Sequence, residues 1–115
     1  FYNTHLSWED QSLRKQQMEA LIKALDEDSC AYKIIVGDFN ADQATEEFDI
    51  FTENYSISNG KDGEWLDTFN GEDDSMQVFS VDNVIVSQNI TINHVSMIEN
   101  TLSDHNPMVV ELSLN

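Results

Sequence analysis

Four short stretches carry the residues able to do chemistry. "KIIVGDFNAD" holds Asp38 and Asn40, "TLSDHNPMVV" holds Asp104 and His105, "SVDNVIVS" holds Asp82, and "NTHL" holds His5. Asp38 and Asn40 are one residue apart, so in an extended segment their side chains point the same way while Phe39 points opposite. Two oxygen-bearing side chains so placed can hold a hard cation or orient a water and a phosphate oxygen. The same triplet can equally cap a helix and shape a turn. A histidine beside acids, as at His105, can act as a general acid or as a cation that stabilises charge developing on phosphate. Its structural alternative is a turn initiated by Asn106 and Pro107 with a solvated imidazole. Asp82 interrupts an apolar run, where a charge is costly unless paired. Either it accepts a hydrogen bond from a histidine, or it lies in water on an edge strand. His5 and His94 each have a plain reading as exposed polar residues of strands, and His94 receives no role. Asn54 and Asn89 begin N-x-[ST] matches that matter only in a glycosylating host.

The elements that must position these groups follow from the pattern of apolar residues. "FYNTHL" is a short run of strand formers. From Trp8 to Leu25, Leu13, Met18, Leu21, Ile22 and Leu25 recur at helical spacing. Ser7, followed by Glu9 and Asp10, is expected as the N-cap ahead of an acidic first turn, and "DEDSC" as the end of that helix. Residues 33 to 37 read as a strand covered on both faces, since they lack alternation. "ADQATEEFDIFTEN" is expected as a second, short helix from near Asp42. A polar loop, "SISNGKDGEW", leads to "LDTF" and an acidic turn. Three strands are expected at about 78–87, 90–98 and 107–114, as an antiparallel run with "SQN" linking the first two. Strand, helix, strand and helix followed by strands give an α/β class with a mixed sheet. In such sheets ligands gather beyond the carboxyl ends of strands, where His5, Asp38 and Asn40 fall.

Composition narrows the partners. The 115 residues fit one domain, and 40% hydrophobic content can fill a modest core. With 22 acidic and 5 basic residues the net charge is -17, which repels nucleic-acid backbones and membrane surfaces unless cations intervene. Aromatic content of 10% argues against disorder. Cys30 is the single cysteine, so no intrachain disulfide forms. No apolar run reaches the ~18 residues of a membrane span. A chain that opens on "FYNTH" gives no reading of location; a secreted bacterial protein is compatible with it.

Taken together and in order, "NTHL", a helix, "IIVGDFNAD", "SVDNVIVS" and "SDHNPMVVEL" resemble the endonuclease/exonuclease/phosphatase superfamily, with its DNase I-like fold. The resemblance covers essentially residues 1–115 and corresponds to the C-terminal half of that family's domain. It implies half of a four-layer αββα sandwich, a mixed sheet with helices on one face. It implies a metal-dependent phosphoester hydrolase using Mg²⁺ or Mn²⁺. Asp38 would activate the attacking water, and Asn40 would hold the phosphate. His105 would stabilise the transition state with Asp82 as its carboxylate partner, and His5 would protonate the leaving oxygen. Asp38, Asn40 and Asp104 would serve the metal. Asn83 stands where many relatives carry an aromatic residue.

The same resemblance implies an upstream half supplying an asparagine and a glutamate for the metal. The partners expected are therefore a phosphoester substrate and that N-terminal half, or another chain, covering the inner face of the sheet. These 115 residues are expected to be a fragment that is inactive alone. Nuclease and sphingomyelinase-like phosphodiesterase are the alternative enzyme branches, the nuclease disfavoured by the charge. Inositol polyphosphate 5-phosphatases rank low, because "VDNVIVS" lacks their Trp-Cys-Asp-Arg type of motif. A non-catalytic binding module that retains the fold is the reading from another class.

Overall fold

A computed structural model describes residues 1–41, 46–60, 66–71 and 80–115. Its elements run β1 (Tyr2–His5), α1 (Gln11–Glu27), β2 (Ile34–Asp38), a 3₁₀ turn (Glu46–Phe48), α2 (Asp49–Thr52), β3 (Tyr55–Ile57), β4 (Asp82–Ser87), β5 (Ile90–Met97) and β6 (Met108–Leu114). The first four strands form a sheet in the order β1-β2-β4-β3, and β5 pairs with β6 in a second sheet. β1 runs parallel to β2, whereas β4 is antiparallel to both β2 and β3, so the sheet is mixed as expected. The parallel β1–α1–β2 crossover needs a long connection, and α1 provides it.

The helix begins later than its apolar pattern suggests. Asp10 is the N-cap, its carboxylate accepting from the Leu13 amide at 2.9 Å, and the first turn carries no acid. Ser7 instead donates its backbone N–H to Gln17 Oε1. Ser7 and Asp10 both precede the helix, and Asp10, the nearer, can reach the amide of its third residue. Asp10→Ala is therefore expected to cost about 1 kcal/mol by thermal or urea unfolding, with Ser7→Ala close to neutral. The reverse ranking would contradict this assignment.

α1 covers one face of the four-stranded sheet. Met18 and Leu25 pack there with Ile35, Ile57 and Ile85, joined by Phe39, Phe48 and Phe51. The three phenylalanine rings meet at centroid separations of 5.4 to 6.0 Å, which suits tilted and edge-on aromatic contacts. Arg14 is buried and grips Glu47 through two hydrogen bonds of 2.7 and 3.0 Å, joining α1 to the turn after the Asp38 loop.

The expectation that β2 is covered on both faces is corrected. Ile35 is buried under α1, but Ile34 and Val36, which point the other way, are only half-buried. Val36 and Val84 line a cavity of about 570 Å³ together with Met108 of β6, so the second sheet lies on the side away from α1.

The expected antiparallel run is corrected too. β4 does not pair with β5, because β2 and β3 already occupy both of its edges. The chain turns at Gln88 and Asn89 and β5 finds β6 instead, with a bulge between Ile92 and His94. Ser56 and Ile57, read as the start of a polar loop, form β3 with Tyr55 against β4. Of the expected second helix, the described part is the 3₁₀ turn and one turn of α2; residues 42–45 lie outside the described residues, as do the acidic turn at 72–75 and positions 78–79 of the first expected strand. Among the described residues no helix is long and apolar enough to cross a membrane.

Candidate active site

The pairing register sets the site. β1, β2 and β4 place His5 opposite Asp38, and Asp38 opposite Asp82, at one end of the sheet. Residues paired across adjacent strands project to the same face, so all three side chains emerge on the face away from α1. Gly37 makes this spacing possible. It has φ +142°, and a Cβ there would lie 1.8 Å from the Thr4 carbonyl oxygen.

His105 comes from the loop between β5 and β6. Its Nδ1 lies 2.8 Å from Asp82 Oδ2, and its Nε2 is 3.7 Å from Asp38 Oδ2. His5 Nε2 approaches the same Asp38 oxygen at 3.5 Å. His5, Asp38, Asp82 and His105 thus line one cavity, the one that also contains Val36 and Val84. Asp38 is the innermost of the four, with a side chain 14% exposed against 75% for His5. The Asp82 alternative of an unpartnered acid in water is set aside by its hydrogen bond.

Asn40, expected to point into the same cleft, adjoins it through Asp38. It has a positive φ of 48°, a conformation asparagine tolerates better than most residues, and its Nδ2 donates to the Leu6 carbonyl at 2.7 Å. Its backbone N–H donates to Asp38 Oδ1 at 2.8 Å. Asn40 thereby holds the Asp38 carboxylate in place, with one amide hydrogen committed to the loop. Asp104, expected near the metal, has an exposed side chain, and its carbonyl accepts from the Asn70 amide at 2.7 Å. Adjacent residues in a turn diverge, and here His105 is the one turned inward.

Among the described residues one group could hold a metal ion: Asp38, Asp82 and His105, whose ligand atoms all lie within 4.8 Å of one another. Two carboxylates and an imidazole suit a divalent cation. Of the residues expected to serve the metal, Asp38 belongs to this group and Asp104 does not.

Electrostatics separate the roles of these groups. Burial pushes the Asp38 carboxyl above its ordinary value, and the nearby Asp82 charge adds to this. The Asn40 amide and the two histidines oppose the shift without cancelling it. For His105, burial alone would lower the pKa, but the Asp82 hydrogen bond and the charges of Asp82, Asp38 and Asp104 together raise it. Protonated His105 therefore contributes stability that is fully present below the ordinary histidine value of about 6.5 and lost as pH rises through the higher folded value. An NMR titration is expected to place the His105 midpoint above that of a free histidine, with Asp82→Asn moving it down. A midpoint unmoved by Asp82→Asn would contradict the pairing.

Several residues that hold the site were given no role in the reading of the sequence. Asn83, unusual for its position, is 2% exposed and turned to the α1 side. Its Oδ1 accepts from Ser58 Oγ and the Asn59 amide, and its Nδ2 donates to the Asn59 carbonyl. Asn59 in turn donates to the carbonyls of Asp82 and Leu66. A buried polar side chain is tolerated when its hydrogen bonds are made, and these are. Asn106 does the same for the His105 loop, its Oδ1 accepting from Asn70 Nδ2 and the Asn100 amide.

Comparison with known proteins bears on the fold. No family model matches the chain, and no curated protein matches it. Solved structures do. A conserved protein of unknown function from Enterococcus faecalis superposes at a TM-score of 0.76 with 17% identity, over 98% of this chain and 49% of that one. An endonuclease/exonuclease/phosphatase from Bacteroides vulgatus gives 0.74 at 18% identity, over 96% and 48%. A mannosyl-6-phosphatase from Bacteroides thetaiotaomicron gives 0.68 at 23% identity, over 97% and 50%. The fold is therefore that of about half of the solved endonuclease/exonuclease/phosphatase chains, a DNase I-like half-sandwich. The chain spans about half the length of the solved chains it matches.

Proposed function

We propose that this chain forms part of a divalent-metal-dependent phosphoester hydrolase. The observation that carries the reading is the convergence of Asp38, Asp82 and His105, with His5 at the mouth, at the end of a mixed sheet. Asp38, half-buried and with a raised pKa, accepts a proton from the attacking water. Asn40 holds that carboxylate and keeps one amide hydrogen for a phosphate oxygen. His105, kept protonated by Asp82, stabilises the charge that accumulates on phosphate. His5, exposed at the rim, delivers a proton to the leaving oxygen.

The carboxylates of Asp38 and Asp82 would hold Mg²⁺ or Mn²⁺ while His105 stays protonated beside them, and such an ion, when bound, neutralises phosphate charge. A net charge of -17 makes that neutralisation necessary for any anionic substrate. It also ranks a small phosphoester above a nucleic acid as substrate.

The half-open apolar face around Val36 and Val84, together with the half-length match to solved chains, supports a partner segment that completes the sandwich. A complementing half, in the same or another chain, is the partner proposed. Hydrolysis of a panel of sugar phosphates, sphingomyelin and DNA by the protein with that half present tests the reading. Turnover of one class that requires a divalent ion is expected, and binding of partners without turnover of any class would contradict it.

A further inference from the structure

The segment 66–70, "LDTFN", has no role in the proposed chemistry, yet it touches both members of the His105–Asp82 pair. Thr68 is 0% exposed. Its Oγ1 accepts the backbone N–H of Asp82 at 3.0 Å, and its carbonyl accepts the backbone N–H of Asn106 at 2.7 Å. β3 stops at Ile57, opposite Ile85, so among the described residues no strand of the sheet reaches Asp82 on that side. The Thr68 hydroxyl and the Asn59 carboxamide take the place of that missing strand, one on the Asp82 amide and the other on its carbonyl. Next in the chain, Phe69 bridges to His105 through the backbone and sets its ring edge-on to the imidazole, with centroids 5.4 Å apart.

We propose that Thr68 is a positioning residue. Its hydroxyl oxygen fixes the strand that carries Asp82 and its carbonyl fixes the loop that carries His105, so one buried residue sets the separation of the pair. Valine keeps the shape of threonine but removes the acceptor, and serine keeps the acceptor but loses a methyl group. The proposal relies on His105 being a site residue, but its test does not rely on turnover.

Two-bond ¹H–¹⁵N spectra of the imidazoles, taken on the 115-residue chain at a pH where His105 is neutral, read which ring nitrogen carries the proton. A single His105 tautomer with the proton on Nδ1 is expected in the wild type and in Thr68→Ser, and a mixture of tautomers in Thr68→Val. In the complete enzyme Thr68→Val should lower kcat about tenfold with KM little changed, and Thr68→Ser should restore it, on the scale seen for partners of site ligands. A folded Thr68→Val chain that keeps the single tautomer would overturn the proposal. Should that variant not fold, hydrogen exchange at the Asp82 amide of the wild type decides. Protection equal to that of Val84 supports the proposal, and exchange at the rate of a free loop amide overturns it. An enzyme with no phosphoesterase activity whose tautomer is lost only in Thr68→Val would sink the hydrolase reading and leave this one standing.

Discussion

Asp38→Asn is expected to lower turnover about a hundredfold or more while leaving the fold intact, the loss associated with removing a general base. Three observations give it this weight. Among the described residues Asp38 is the one carboxylate approached by both site histidines, at 3.5 and 3.7 Å. Burial raises its pKa, which strengthens it as a proton acceptor. The Asn40 amide holds one of its oxygens and leaves the other facing the histidines. Asparagine keeps the size and the hydrogen bond to Asn40 but cannot take a proton. Removing a mostly buried negative charge from beside Asp82 should leave stability equal or slightly higher, so a matched denaturation curve separates a chemical effect from a structural one. Activity within a few-fold of wild type would remove Asp38 from the mechanism.

Gly37→Ala is expected to have the largest effect on stability, about 4 kcal/mol. Two independent penalties combine. The φ of +142° belongs to a region that side chains rarely adopt, and the added Cβ would meet the Thr4 carbonyl oxygen at 1.8 Å. Neither relaxes cheaply, because the obstacle is backbone of the paired strand β1, in register Thr4↔Gly37. Relief requires β1 to move off β2, and β1 carries His5. Loss of stability and displacement of His5 should therefore appear together, the first by denaturation and the second by NMR shifts of the His5 ring. A variant as stable as wild type would show that β1 does not approach so closely.

Where the sequence was informative, the chemistry is compact in the chain. Asp38 with Asn40, and His105 ahead of Pro107, lie within short motifs at strand ends, and the helical spacing of Met18, Leu21 and Leu25 marks α1 despite the misplaced cap. What could not be read depends on contacts distant in sequence. β3 has three residues, too few for any periodicity. The pairing of β5 with β6 rather than β4 depends on β4 having both edges filled, which no local pattern encodes. Asn59, Thr68 and Asn106 look like ordinary loop residues one at a time. Their roles arise because the end of β4 needs partners that β3 does not reach. The side-chain directions of Asn40 and Asp104, in tight turns beside Asp38 and His105, depend on backbone geometry that position in the sequence does not fix.

The most direct test is hydrolysis of bis-p-nitrophenyl phosphate by the protein with its complementing half, stripped of metal and then supplied with Mg²⁺ or Mn²⁺. The site of Asp38, Asp82 and His105 predicts no turnover without the ion, recovery when it is returned, and loss of that recovery in Asp38→Asn. Turnover that is indifferent to metal removal, or that survives Asp38→Asn, would contradict it.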